Sequence, residues 1–225
     1  MDSYQRKTDG NAVVADDPAA RELLRRAFEK TSRWPQGFKG FSADLTCQEE
    51  GRVSEGTVTV KSSREVTVNL EHEDLKKWAD GQISMMAVHR GPRSFEESDG
   101  KYSLTLGEED HHPMGRLLII NGDGMNSRYR INEDRITQIN RSMERVKFTI
   151  NVEDSLSTND GRALTTRYAV FYFSPADGAL RQVETYSDNH AVVNGIYLPG
   201  LRRVSFNENG AVISRLLKFD HHRLI

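Results

Sequence analysis

The stretch "FSADLTCQEEGRVSEGTVTVKSSREVTVNL", residues 41–70, decides the fold class of this chain. Three of its segments place apolar residues at every second position: Phe41, Ala43, Leu45 and Cys47; Val58 and Val60; Val66, Val68 and Leu70. This two-residue period is typical of β-strands with one apolar and one polar face. A turn is predicted at Ser62 and Ser63. Successive strands joined by short turns predict an antiparallel sheet.

Two other segments show the period of a helix instead. The first begins with Asp17 as the predicted N-cap and Pro18 at the first helical position. Its apolar stripe consists of Leu23, Leu24, Ala27 and Phe28. The second covers residues 71–90, and its stripe consists of Leu75, Trp78, Ala79, Ile83 and Met86. We expect this helix to end at Gly91 in a left-handed conformation.

From residue 93 to the end the pattern is almost entirely that of strands, with turns predicted at 99–100 and 121–124. Strands do not alternate with helices, which argues against a parallel sheet. The sequence therefore predicts a mostly β (α+β) fold, a curved antiparallel sheet of about ten strands that half-wraps two helices. Residues 1–16 are predicted to be a disordered polar tail, and residues 17–225 a single β-rich domain.

Composition excludes several classes of protein. The 225 residues carry a net charge of −2, whereas a nucleic-acid-binding chain is usually basic. The sequence contains no run of 18 apolar residues, so no transmembrane segment is predicted. The polar N-terminal residues lack the apolar core of an export signal, and Cys47 is the single cysteine. We therefore expect a cytoplasmic protein that binds no nucleic acid.

Two Asp-His-His triplets, at 110–112 and 220–222, are the residues most suggestive of a metal. Imidazole and carboxylate are zinc ligands, and on a strand Asp220 and His222 would share a face. The spacing matches no established metal motif, so we expect neither a metal nor a cofactor. No Gly-x-Ser-x-Gly motif supplies a nucleophile, and we predict no catalytic residues.

Three blocks of sequence, at 28–46, 88–110 and 129–141, resemble those of a known family: "FEKTSRWPQGFKGFSADLT", "VHRGPRSFEESDGKYSLTLGEED" and "YRINEDRITQINR". The family is a domain of unknown function found mainly in cyanobacteria and plants. The resemblance covers roughly residues 18–222 and implies no established activity. The expected fold is also similar to that of periplasmic lipoprotein carriers, in which a bent antiparallel sheet half-encloses helices around an apolar cavity.

Such an architecture implies a cavity between the sheet and the second helix. Its predicted apolar lining consists of Trp34, Phe41, Trp78, Met85 and Met86. The alternative is that these side chains are plain core. Arg93 and Glu97 would share a face of the next strand with Phe95, at the edge of the core or at the mouth of the cavity. An arginine at this position is suited to hold the acidic head group of a ligand.

Three functional hypotheses follow from these features. The first is a non-enzymatic module that binds an apolar small molecule or lipid. The second is a protein-interaction or assembly module, linked to photosynthetic membranes by the distribution of the family. The third is a metal-dependent enzyme, and the histidine triplets alone support it.

Overall fold

The computed structural model describes residues 14–62 and 64–225. Most of the predicted tail, and Ser63 of the first predicted turn, lie outside these residues. The two predicted helices are present, α1 over Pro18–Lys30 and α2 over Glu73–Arg90. A single 3₁₀ turn covers Asp99–Lys101.

Twelve strands form the rest of the fold. They are β1 Phe41–Glu49, β2 Arg52–Ser62, β3 Glu65–Leu70, β4 Ser103–Leu106, β5 Arg116–Asn121, β6 Arg128–Asn132, β7 Arg135–Ser142, β8 Lys147–Ser157, β9 Ala163–Phe173, β10 Leu180–Val193, β11 Ile196–Glu208 and β12 Ala211–Leu224. All belong to one antiparallel sheet in the order β3-β2-β1-β12-β11-β10-β9-β8-β7-β6-β5-β4. Strands that follow one another in sequence are paired, except that β3 and β4 lie at opposite edges of the sheet. The sheet is continuous because β1 pairs with β12.

Both helices pack on the same face of the sheet, which we call the inner face. Residues that pair directly on neighbouring strands have their side chains on the same face of the sheet. One row of such pairs runs from β5 to β12: Leu118, Tyr129, Ile139, Ile150, Val170, Glu184, Phe206 and Ile213. Leu118 packs in the cluster under α1. Leu217, four residues beyond Ile213 on β12, packs in the cluster under α2.

The helices form for the reasons that the sequence indicates. The Asp17 side chain accepts a hydrogen bond from the Ala19 amide at 2.8 Å, which satisfies one of the free donors at the start of α1. The apolar stripe of α1 buries Leu24 and Phe28 against β4, β5 and β6. The stripe of α2 buries Leu75 and Ile83 against β1, β2 and β3. Each helix is therefore held by burial of one apolar face.

The predicted fold class is confirmed, and three details are wrong. The sheet has twelve strands instead of about ten. Residues 95–98 form a turn, and "DG" at 99–100 lies in the 3₁₀ turn instead of a hairpin. The reason is that the carbonyl of Phe95 accepts hydrogen bonds from the amides of Ser98 and Gly100. Gly91 has φ −60° and ψ 147°, so α2 ends in an extended residue and no left-handed cap.

Candidate functional site

The middle of the inner face carries a group of aromatic side chains between the two helices. The helices pack towards the two ends of the sheet, α2 mainly on β2 and β3 and α1 on β4, β6 and β7. Between them lies a separate cluster, here called the trough: Phe148, Ile150, Tyr168, Val170, Tyr172, Tyr186, Val204 and Phe206. Five of these eight side chains are only half-buried. The central strands therefore present an apolar surface to the space between the helices.

The tyrosines of the trough are held in fixed positions. The rings of Tyr168 and Tyr186 stack at 4.3 Å with an interplanar angle of 5°. The Glu184 carboxylate accepts hydrogen bonds from the hydroxyls of Tyr186, at 2.6 Å, and Tyr172, at 3.1 Å. Burial raises the pKa of Tyr168 to about 12. This phenol therefore stays protonated at neutral pH and leaves its ring as an uncharged surface.

One stripe of α2 borders the trough. Trp78, Gln82, Met85 and His89 lie at helical spacing on one side of the helix. Trp78 packs against both the α2 cluster and the trough, and Gln82 accepts a hydrogen bond from Arg202 at 3.4 Å. Met85 continues the stripe with 56% of its surface exposed. An exposed methionine on the same stripe as Trp78 is suited to contact an apolar molecule.

A second concave feature, the cleft, lies where α1 and α2 both end. It has a volume of about 670 Å³ and is bounded by the residues after each helix and by two turns, β8–β9 and β10–β11. The lining residues that matter to its chemistry are Phe28, Arg33, Trp34, Arg90, Arg93 and Tyr197. Three of these six carry a positive charge.

Two arginines of the cleft are anchored to backbone carbonyls. Arg33 donates to the carbonyls of Phe28 at 2.7 Å and Thr31 at 3.3 Å, and its guanidinium lies 3.7 Å from the Phe28 ring centroid. Arg90, only 8% exposed, donates to the Tyr197 carbonyl at 3.0 Å. Within the described part of the chain, the buried Nε of each arginine has no hydrogen-bond partner. Burial lowers the pKa of both to about 10.

The predicted apolar lining divides between core and surface. Trp34, Phe41 and Met86 are buried. Trp34 and Phe41 pack in the cluster under α2, so Phe41 is plain core, whereas Trp34 also contributes to the wall of the cleft. Trp78 and Met85 lie on the stripe that borders the trough. Of the five, Trp34 therefore lines the cleft and Trp78 borders the trough, whereas Phe41 and Met86 line neither feature.

The two polar residues predicted at the cavity mouth are not on a strand. Arg93 lines the cleft and donates to the Val88 carbonyl at 2.8 Å. Glu97 is exposed and accepts a hydrogen bond from the Ser94 hydroxyl at 2.8 Å within the same turn. Sequence reasoning missed Arg33 and Arg90, although both stand in the quoted blocks, because nothing local indicates that they meet.

The two Asp-His-His triplets lie apart and make separate contacts. Asp110, which lies in the loop between β4 and β5, forms an ion pair with Arg130 at 2.6 Å. On β12, the His221 ring contacts Asp44 at 2.7 Å and His222 contacts the Pro199 carbonyl at 2.7 Å. In the described ranges, no three His, Cys, Asp or Glu side chains are grouped so as to hold a metal ion.

The fold defines a class of protein with one open, curved antiparallel sheet and two helices on its inner face. Within this class the chain belongs to the family described as "Protein of unknown function (DUF3386)", whose sequence model matches residues 15–225. The resemblance drawn from the sequence blocks is thereby confirmed. A search of curated proteins finds no match.

Two solved structures are similar to this chain over most of its length. One is a domain from Vibrio parahaemolyticus described as an outer membrane lipoprotein-sorting protein, with 9% identity, 92% of each chain covered and a TM-score of 0.38. The other is the MucA/MucB complex of Pseudomonas aeruginosa, with 12% identity, 92% of this chain and 99% of that chain covered, and a TM-score of 0.28. In the described ranges, no helix has the length and apolar character needed to span a membrane.

Proposed function

We propose that this protein is a non-enzymatic binding module that takes an apolar small molecule or a lipid chain along the trough. The observation that carries the proposal is the row of half-buried aromatic side chains that lies between the helices on the inner face. Covering apolar surface gains roughly 25 cal/mol for each Å² removed from water. A ligand laid on these rings would remove much of that surface from water.

The residues available for catalysis support a non-enzymatic role. The Asp-His-His triplets, which alone favoured an enzyme, contact other residues of the protein in different parts of the fold. Cys47 is fully buried, and burial raises the pKa of its thiol to about 11. A neutral, inaccessible thiol is a poor nucleophile.

Tryptophan fluorescence offers a direct test of the trough. The chain has two tryptophans, and only Trp78 borders the trough. In a Trp34→Phe variant, a brominated fatty acid should quench Trp78 saturably, because bromine quenches indole fluorescence at close range. The unbrominated fatty acid should compete with the quenching. Absence of saturable quenching at any fatty-acid concentration below micelle formation would count against the proposal.

A matched pair of variants separates the trough from general apolar adhesion. Phe148 lies on the inner face of β8, and Phe171 lies on the outer face of β9, both half-buried. Phe148→Gln should weaken fatty-acid binding about tenfold, equivalent to roughly 1.4 kcal/mol. Phe171→Gln should leave it unchanged. Equal losses in both variants would place the binding elsewhere.

A second candidate function is binding of a protein partner on the outer face. Val212 is 77% exposed, and with Leu180 and Val183 it lines a shallow groove of about 420 Å³ at one end of β10–β12. Exposed apolar patches of this kind are frequent at protein interfaces. If this function is the right one, native mass spectrometry of protein from its own cells should show a complex that Val212→Glu dissociates.

A further inference from the structure

We infer that the cleft is a binding site for an oxyanion, a carboxylate or phosphate group held by Arg33, Arg90 and Arg93. This site is separate from the trough, and the inference stands whether or not the trough binds an apolar chain.

The first argument is the balance of charge in the cleft. Over the residues that the structure describes, no carboxylate forms a salt bridge with any of these three arginines. Two acidic residues of the cleft are engaged by other arginines, Glu96 by Arg25 at 2.5 Å and Asp160 by Arg162 at 3.4 Å. Glu29 remains, and its side chain is exposed. The cleft therefore has a net excess of positive charge.

The second argument is the burial of these charges. A buried charge is strongly unfavourable unless an opposite charge or a full set of hydrogen bonds accompanies it. Arg90 is more than nine-tenths buried, and its hydrogen bond to the Tyr197 carbonyl leaves Nε without a partner. Arg33 likewise keeps an unpartnered, buried Nε. An anion in the cleft would supply the missing negative charge.

The third argument is that the arginines are positioned in advance. Carbonyls near the C-terminal ends of both helices hold them: Arg33 binds Phe28 of α1, and Arg93 binds Val88 of α2. All three arginines line the cleft. Besides burial, the charges of Arg93, Arg162 and Arg90 lower the pKa of Arg33, and the Asp99 carboxylate opposes them. Guanidinium groups bind carboxylate and phosphate oxygens in two-point geometry. Asp99 offsets part of the repulsion among them, and an anion bound in the cleft would offset more of it.

The simpler explanation is that the arginines stabilise the helix ends by interacting with terminal carbonyls. That role accounts for their contacts with Phe28 and Val88, and it accounts for neither the clustering of three positive charges nor the two unpartnered Nε groups. The two explanations differ in an observable way, since anion binding requires saturable dependence on anion concentration.

The test uses the full chain and inorganic phosphate as the probe. Isothermal titration calorimetry should show saturable binding, and phosphate should raise the melting temperature at constant ionic strength. Arg90→Met and Arg93→Met should each lower the affinity about tenfold or more. The matched control is Arg167→Met, because Arg167 is an exposed arginine of β9 that binds Asp154. This variant should bind phosphate as the wild type does.

A second pair of probes identifies the source of the oxyanion. If the natural ligand is a lipid head group, phosphatidylcholine vesicles should bind the protein only when phosphatidic acid is included, and Arg93→Met should abolish that binding. If it is a small solute, phosphate or acetate alone should bind and vesicles should not. Phe148→Gln should leave phosphate affinity unchanged, which keeps this result independent of the trough.

Two results would overturn the inference. One is failure of phosphate, acetate and phosphatidic acid vesicles alike to bind saturably to the wild type. The other is an unchanged phosphate affinity in Arg93→Met, whose half-buried side chain makes it the safer variant to fold if Arg90→Met does not.

Discussion

Arg202 and Asp188 face each other on β11 and β10 and form a two-point ion pair, with nitrogen–oxygen distances of 2.9 and 2.6 Å. Both residues are almost completely buried, at 5% and 7% exposure. The Arg202 guanidinium also lies 5.4 Å from the ring of Tyr186, which belongs to the trough. The pair therefore fixes one end of the aromatic surface.

Removing one partner should reveal how much this pair contributes. Asp188→Asn leaves a buried, uncompensated guanidinium, so the free energy of unfolding should fall by about 3–5 kcal/mol in urea denaturation. The control is Asp154→Asn, which disrupts the exposed pair with Arg167 and should cost about 0.5 kcal/mol. Similar losses in both variants would contradict the assigned burial of the first pair.

Two residues of α2 should separate stability from binding. Leu75 is fully buried, so Leu75→Ala should lower the free energy of unfolding by about 2–5 kcal/mol. Met85 is mostly exposed, and Met85→Gln should change stability by no more than about 0.5 kcal/mol. It should nevertheless weaken quenching of Trp78 by a brominated fatty acid. A Met85→Gln protein that binds the fatty acid normally would remove this residue from the proposed site.

Gly40 and Gly91 should respond very differently to alanine. Gly40 has φ +117°, and an added β-carbon would collide with the carbonyl oxygen of Val60. Gly40→Ala should therefore lower the free energy of unfolding by at least about 2 kcal/mol. Gly91 is extended, with its nearest contact at 3.1 Å, so Gly91→Ala should change stability by less than about 1 kcal/mol. If Gly91→Ala lowered the melting temperature more than Gly40→Ala, the extended conformation of Gly91 at the end of α2 would be wrong.

Stability should fall on acidification in part through His190. Burial, together with the nearby Arg90 charge, lowers the pKa of His190 to about 4. The unfolded chain, with a histidine pKa near 6.5, binds a proton between about pH 6.5 and 4 that the folded chain does not. The stabilisation is present above this window and is lost as the pH falls through it.

His190→Gln should therefore reduce the pH dependence of the unfolding free energy. Urea denaturation of the wild type and the variant at pH 7, 5.5 and 4 measures the difference. Between pH 7 and 8 the two proteins should have the same pH dependence, which serves as the internal control. If His190→Gln left the pH dependence of the unfolding free energy below pH 6.5 unchanged, His190 would have the same pKa in the folded and unfolded chains.

Chelation should have no effect on folding. His221 and His222 each have a contact within the protein, and a metal would have to displace Asp44 or the Pro199 carbonyl. We expect excess EDTA to leave the melting temperature unchanged, because metal-coupled folding would make stability depend strongly on the metal. A decrease of about ten degrees that zinc restores would refute this expectation.

Local patterns predicted the strands and helices well, because alternation and capping act between residues a few positions apart. The alternation of Phe41, Ala43, Leu45 and Cys47 corresponds to four buried side chains on β1. The N-cap at Asp17 is present as predicted. The left-handed cap at Gly91 was predicted wrongly, because a glycine before a proline fits the pattern of such a cap. An extended glycine before a proline ends the helix equally well.

The candidate sites depend on contacts that no local pattern contains. Arg90 and Tyr197 are 107 residues apart in sequence, yet a hydrogen bond joins them at the wall of the cleft. The pairing of β1 with β12, which brings Phe41 beside Leu224, is equally remote. The position of the triplet at 220–222 depends on the same remote pairing, since Asp220 lies opposite Asp44 of β1.

The position of β12 has a consequence for synthesis of the protein. A ribosome delivers this strand after the other eleven, yet it is the one that joins β1–β3 to β4–β11. Any partial sheet that β1–β3 or β4–β11 formed before its 14 residues emerge would have an unpaired edge at β1 or β11. Such edges invite pairing with other chains. A chaperone that covered the β1 and β11 edges until β12 pairs with both would protect the chain from such pairing.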